Sequence, residues 1–101
     1  MPKAIYYVSY KLKKGASVPD FLQASKQLND QHISKQKGYV SWEQLVDGET
    51  WADMATFETM DDVKAFLEAS ANPCPQALEF YSYINLNSCK SHYFTVERSY
   101  T

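Results

Sequence analysis

Trp42, Trp51 and Asp53 fall within a dozen residues of one another near the middle of the chain. They are the side chains best suited to chemistry. Asp53 stands between Ala52 and Met54, among residues that avoid water. Burial of a carboxyl there disfavours its charged form, raises its pKa and makes it a usable acid or base near neutrality. The competing reading pairs it with Arg98, with a tyrosine hydroxyl across the sheet, or with solvent at a wet rim. Trp42 and Trp51 are flat and large enough to wall a planar ligand, and Gln44 on the same face can hold a polar group of that ligand. Tryptophan is equally at home in a dimer interface. His32 is the second candidate base, because imidazole titrates closest to neutrality. It ends the apolar stripe of a helix, where a hydrogen-bonded boundary histidine is the common outcome. Glu43 shares the ambiguity of Asp53 with less aromatic company, and His92 reads as a surface residue.

The elements that must position these groups follow from pattern. The runs 38–46 and 50–57 alternate in hydrophobicity and flank Asp47-Gly48, a hairpin signal because glycine accepts the positive φ of a tight turn. A two-residue turn centred on Asp47-Gly48 sets Trp42 opposite Asp53 and Gln44 opposite Trp51. A longer turn shifts partners by two and keeps the faces. Val40, Trp42, Gln44, Val46, Trp51, Asp53, Ala55 and Phe57 then share one face, and Tyr39, Ser41, Glu43, Leu45, Ala52, Met54 and Thr56 the other. The second strand runs into Thr59, a helix N-cap, with Asp62 three residues on at the positive end of the dipole.

Residues 4–13 read as the first strand, with Tyr6, Val8, Tyr10 and Leu12 on one face and Ile5, Tyr7 and Ser9 on the other. Ser17 caps a helix with Pro19 and Asp20 in its first turn, predicted to reach Gln36 before Gly38 ends it. Its stripe is Val18, Phe21, Leu22, Ser25, Leu28 and His32, with Ala24 and Ile33 at the margins. The second helix spans about 60–70 and points Met60, Val63, Phe66, Leu67 and Ser70 inward. A short third helix is expected over 75–85 with Ala77, Leu78, Tyr81 and Ile84 inward, then a polar loop over 85–90, and a last strand over 91–100.

The bulk numbers exclude several classes. At 101 residues the chain is one domain, residues 1–101, with room for a modest core. A net charge of −2 and a single lysine cluster, Lys11, Lys13 and Lys14, argue against a nucleic-acid partner. No apolar run is long enough to span a membrane, and no signal peptide is recognised, which predicts a cytoplasmic location. Cys74 and Cys89 are too few for a disulfide framework and fit no zinc spacing, so two free thiols are expected. The two His and two Cys are widely separated, and only three Gly are present, none free for a phosphate turn. No metal site, flavin or nicotinamide cofactor is therefore predicted.

The order β-α-β-β-α-(α)-β is that of the α+β, ferredoxin-like fold, with a four-stranded antiparallel sheet and helices on one face. The other face is also apolar and aromatic, which predicts a homodimer packed sheet to sheet. Lys13-Lys14-Gly15 after the first strand and Phe57-Glu58-Thr59-Met60-Asp61-Asp62 at the strand-to-helix junction complete the pattern. Here the chain resembles the dimeric α+β barrel superfamily, in particular its small antibiotic-biosynthesis-monooxygenase-like members. The resemblance implies oxygenation of small aromatic substrates without metal or flavin. Other members cleave haem with an Asn, a Trp and a His, the His on the second helix. The second helix here carries Phe66 and Leu67 and no His. The function expected is thus a cofactor-independent monooxygenase with Asp53 or His32 as base and Trp42, Trp51 and Gln44 around the substrate. The alternative is a non-catalytic dimeric module that binds a small ligand or only itself.

Overall fold

Four antiparallel strands and three helices make up the computed structural model, which describes residues 2–101. In chain order they are β1 (Ala4–Leu12), α1 (Val18–Gln31), β2 (Tyr39–Asp47), β3 (Thr50–Phe57), α2 (Met60–Ala69), α3 (Pro75–Tyr81) and β4 (Ile84–Thr95). The sheet order is β2-β3-β1-β4, so β1 and β3 are central. No helix among the described residues is long and apolar enough to cross a membrane.

The caps form as expected. The Ser17 side chain accepts from the Asp20 N–H at 3.3 Å, and the Thr59 hydroxyl accepts from the Asp62 N–H at 3.1 Å. Each satisfies a donor that the first helical turn would leave bare. Helix α1 stops at Gln31, and a 3₁₀ turn, Ile33–Lys35, replaces the predicted extension to Gln36. Gly38 follows at φ +80, where any Cβ would collide with the Asp62 carboxylate, so only glycine fits.

The hairpin register differs from the expectation by two residues. Asp47 pairs with Thr50, Val46 with Trp51, Gln44 with Asp53 and Trp42 with Ala55. The two central residues are Gly48 and Glu49, and Gly48 alone has positive φ, +60. Glycine at the first central position suits a type II′ turn, which moves the pivot one residue on from Asp47-Gly48. The faces survive, except at the start of β2. There the register shifts between Tyr39 and Ser41, leaving Val40 as an extra residue. This bulge turns Tyr39 onto the helix-covered face, edge-on to Phe57 at 6.4 Å and donating from its hydroxyl to Asn29 of α1 at 2.9 Å.

The segment 85–90 is strand rather than loop. Strand β4 spans it with a register shift opposite Tyr10, between the pairs Ser9–Lys90 and Lys11–Asn85. Its polar side chains replace ladder bonds: the Lys11 N–H donates to the Ser88 hydroxyl at 2.8 Å, which donates to the Asn85 carbonyl at 2.6 Å. Strand β4 ends at Thr95 instead of reaching Tyr100. Helix α3 ends at Tyr81 and is rotated from its expected phase. Ala77 and Phe80 are buried while Leu78 is exposed. In α1, likewise, Ala24 is buried, and Val18 and Leu22 are exposed.

The core lies between the helices and one sheet face. Phe21 and Phe57 are its largest fully buried side chains. Phe80 stacks on Phe21 at 5.2 Å and meets Trp42 edge-on at 5.6 Å. Burial of such rings contributes roughly 1.5–3 kcal/mol each before entropy is counted.

Candidate functional site

Asp53 lies on the central strand β3, facing the helices. Its register neighbours are Val8 on β1 and Gln44 on β2. Only 7% of its surface remains exposed. The Tyr10 hydroxyl, on the diagonal rather than directly across, donates to Asp53 Oδ1 at 2.8 Å. Burial pushes the carboxyl up to about 7, although the Tyr10 hydrogen bond and the nearby Trp42 indole each favour the charged form. The indole does this from a position short of good hydrogen-bond geometry. The Tyr10 phenol is itself driven well above its ordinary range, first by burial and then by the charge of Asp53. It therefore stays protonated and remains a donor at all ordinary pH.

A polar spine steadies this pair. Gln44 Nε2 donates to Ser25 Oγ at 3.0 Å, and the Ser25 hydroxyl donates to the Phe21 carbonyl at 2.8 Å. Gln44 also lies near the Tyr10 hydroxyl and favours its ionised form, the smaller effect. The spine ties β2 to α1 beside Asp53. Gln44 therefore acts on the framework of the site, and it does not line the cavity described next.

Between sheet and helices is a cavity of about 70 Å³, lined by Asp53, Trp42, Tyr6, Tyr81 and apolar side chains. Asp53 is its only ionisable carboxyl. Oδ1 accepts from the Tyr10 hydroxyl, and the carboxyl borders the cavity. Tyr81, the most exposed of the lining residues, stands at the edge. Tyr6 stacks on Tyr93 at 5.5 Å and 14°, extending the aromatic rim along β4. His32 lies elsewhere: it lines an adjoining cleft of about 20 Å³ with Leu28, Ile33, Phe66 and Tyr81. Trp51 packs edge-on against Phe21 at 5.3 Å and borders an open groove beside Lys13 and Lys14. Of the residues expected in a site, the structure thus brings together Asp53 and Trp42, with Gln44 behind them. His32 and Trp51 stand apart. Larger hollows, up to about 530 Å³, are open surface grooves with no buried carboxyl among their lining residues. Among the described residues no three His, Cys, Asp or Glu side chains converge as metal ligands would. Both cysteines are free thiols, Cys89 exposed and Cys74 half-buried.

Tyr10, Tyr6, Tyr81 and Phe80 were not singled out by sequence reasoning. For Tyr10 a signal existed, since it sits two residues beyond the β1 position opposite Asp53. Tyr81 was expected inward on the third helix without a role, and for Phe80 no signal existed, because the phase of a seven-residue helix is set by packing.

No protein-family model matches the sequence, and no curated protein sequence matches it. Solved structures do. A variant of SnoaB, a cofactor-independent oxygenase from Streptomyces nogalater, superposes with a TM-score of 0.74 at 14% identity, covering 98% of this chain and 97% of that one. A haem-degrading protein from Mycobacterium tuberculosis, in its haem-free form, gives 0.69 at 13% identity, covering 99% and 97%. A dimeric protein of unknown function from Bacteroides fragilis, described as ferredoxin-like, gives 0.58 at 18% identity, covering 92% and 95%. Neighbours this different in activity share only architecture. The chain has the ferredoxin-like fold of the antibiotic biosynthesis monooxygenase-like proteins, over essentially its whole length.

Proposed function

We propose that the protein is a cofactor-independent monooxygenase of small, electron-rich aromatic molecules, with Asp53 as its base. The observation that supports this most directly is the state of Asp53: buried, lifted to about 7, hydrogen-bonded by Tyr10 and bordering a cavity. A base balanced near the working pH removes a proton most effectively. The fold shared with a cofactor-independent oxygenase fits the same chemistry.

In this scheme the substrate rests at the cavity edge near Tyr81 and Trp42 and turns an activated CH₂ or ring position inward. Asp53 takes one proton, leaving a carbanion delocalised over the ring. The carbanion passes one electron to dioxygen, and the two radicals combine to form a C–O bond. The peroxide recovers the proton from Asp53 and breaks down to a carbonyl and water. Overall CH₂ and O₂ become C=O and H₂O, with carbon oxidised by four electrons and dioxygen reduced by four. The aromatic sheet face away from the helices pairs with a second copy, burying at least the standard ~1,600 Å². His32 and Trp51 serve the framework in this scheme and touch no reacting atom.

The test is oxygen uptake and product formation with anthrone- and quinol-type substrates. Turnover lost by about a hundredfold or more in Asp53→Asn and kept in His32→Ala is the expected result. Turnover that survives Asp53→Asn would remove this base from the scheme. The small cavity favours a second reading, a dimeric binding or self-association module. Under that reading no substrate is consumed, and ligand binding is unaffected by oxygen.

A further inference from the structure

We infer that the apolar part of the Asp53 cavity is a pocket for a small apolar gas, and that its natural occupant is dioxygen. Its purpose rests on the oxygenation reading above, whereas its binding does not. The void has a cause in the sheet register. Across the three strands β1, β3 and β2, one row reads Tyr6, Ala55, Trp42. A methyl group between two large rings leaves a gap, and Val8, Leu28, Ile33, Phe66 and Phe80 wall it in. The next row reads Val8, Asp53, Gln44, so the carboxylate lies beside the gap on the same face.

Size and polarity select the occupant. At about 70 Å³ the space is near half of the ~150 Å³ that holds benzene or xenon in an engineered apolar cavity. A whole aromatic ring does not fit. Water fits by volume, at ~30 Å³ per molecule in the liquid, but each buried water needs two to four polar partners. The Asp53 carboxyl, the Tyr6 and Tyr81 hydroxyls and the Trp42 indole N–H can serve water at the polar end and the edge. The side chains of Val8, Leu28, Ile33, Ala55, Phe66 and Phe80 offer only carbon. A non-polar diatomic molecule forfeits no hydrogen bonds there and gains dispersion contacts that an empty void lacks. It would sit next to the base and facing the edge where a ring arrives.

The experiment follows methyl NMR signals of the full chain under xenon, then under dioxygen. Saturable xenon shifts at the Val8, Leu28, Ile33 and Ala55 methyls are expected, with exposed Val46 and Leu86 unmoved. Dioxygen should add paramagnetic relaxation at the same four. Ala55→Leu fills the gap and should abolish both responses; if it overpacks and unfolds, Ala55→Val should weaken them. Responses no larger than those of surface methyls, or undiminished in a folded Ala55 variant, would overturn the pocket. So would water contacts to all four methyls without a xenon response. The two readings separate cleanly: gas binding without turnover leaves the pocket and removes the oxygenase, and turnover without gas binding does the reverse.

Discussion

Phe57 and Phe94 are the same residue on opposite faces of one sheet. Phe57 ends β3 beneath the helices, fully buried, with Phe66 at 5.3 Å and Tyr39 at 6.4 Å. Phe94 lies on β4 on the bare face, 51% exposed, stacked on His92 at 5.6 Å and touching Tyr7 at 6.4 Å. Around Phe57 the chain has supplied its own cover. Around Phe94, Tyr7, Met54 and Leu45 it has supplied none. The covered face also holds the buried carboxyl, because desolvation needs walls on every side. The bare face can gain such walls only from another molecule. Chain stability and the buried carboxyl therefore belong to one face, and the proposed self-association would use the other.

That division can be broken first at its two phenylalanines. Phe57→Ala should destabilise each chain by about 3–5 kcal/mol, through lost burial and the cavity left behind. Phe94→Ala should barely move the unfolding of the isolated chain. It should instead weaken self-association, seen as a shift toward monomer in sedimentation. Equal effects of the two changes on chain stability, with no change in association for Phe94→Ala, would show that the faces are not divided in this way.

The sequence made much of this arrangement legible. Caps at Ser17 and Thr59, the glycine turn at Gly48 and the order of elements along the chain all rest on local rules, and local rules are written in consecutive residues. The bulges are not. Val40 is extra only relative to β3, and residues 86–89 only relative to β1, so Tyr39 changed face and a polar stretch became strand without a local sign. The face shared by Asp53 and Trp42 was readable from period two. Whether that face was covered was not, since both faces of β3 are apolar. Trp51 illustrates the limit: it shares a face with Asp53, yet it lies at the end where Phe21 packs, away from the cavity.

The second way to sharpen the comparison uses pH. Asp53 titrates near 7 in the folded chain and near 3.9 when unfolded. Between those values the folded state holds the extra proton, so its contribution is fully present below about pH 4 and is lost as pH rises through 7. Three pKa units correspond to roughly 4 kcal/mol at most. Asp53→Asn keeps an oxygen to accept from Tyr10 and cannot ionise. It should match the wild type in stability near pH 4 and exceed it by up to roughly 4 kcal/mol at pH 8. Urea titrations at fixed protein concentration would show this. A constant offset across the range would mean that Asp53 is not desolvated in solution.

The smallest effect separates positioning from packing within the covered face. Tyr10 touches Asp53 by one hydrogen bond, and its ring also packs edge-on to Phe21 at 6.2 Å. Tyr10→Phe keeps the ring and removes the hydroxyl. A hydrogen bond to a charged acceptor contributes about 1.5–3 kcal/mol, more than the same bond to a neutral acid. The charged form of Asp53 thus loses more than the neutral form, and its titration must move upward from about 7. Asp53 side-chain carboxyl signals followed by NMR through pH 5–9 would read that shift directly. In the proposed reaction, turnover at pH 7 should fall several-fold and recover in part as pH rises, because less of the base is then ionised at neutrality. A purely structural role for Tyr10 predicts otherwise: lower stability, with the Asp53 midpoint and the pH profile unmoved. Should the midpoint stay in place, Tyr10 would be a packing residue that happens to carry a hydroxyl, and burial opposed by the Trp42 indole would set the state of Asp53.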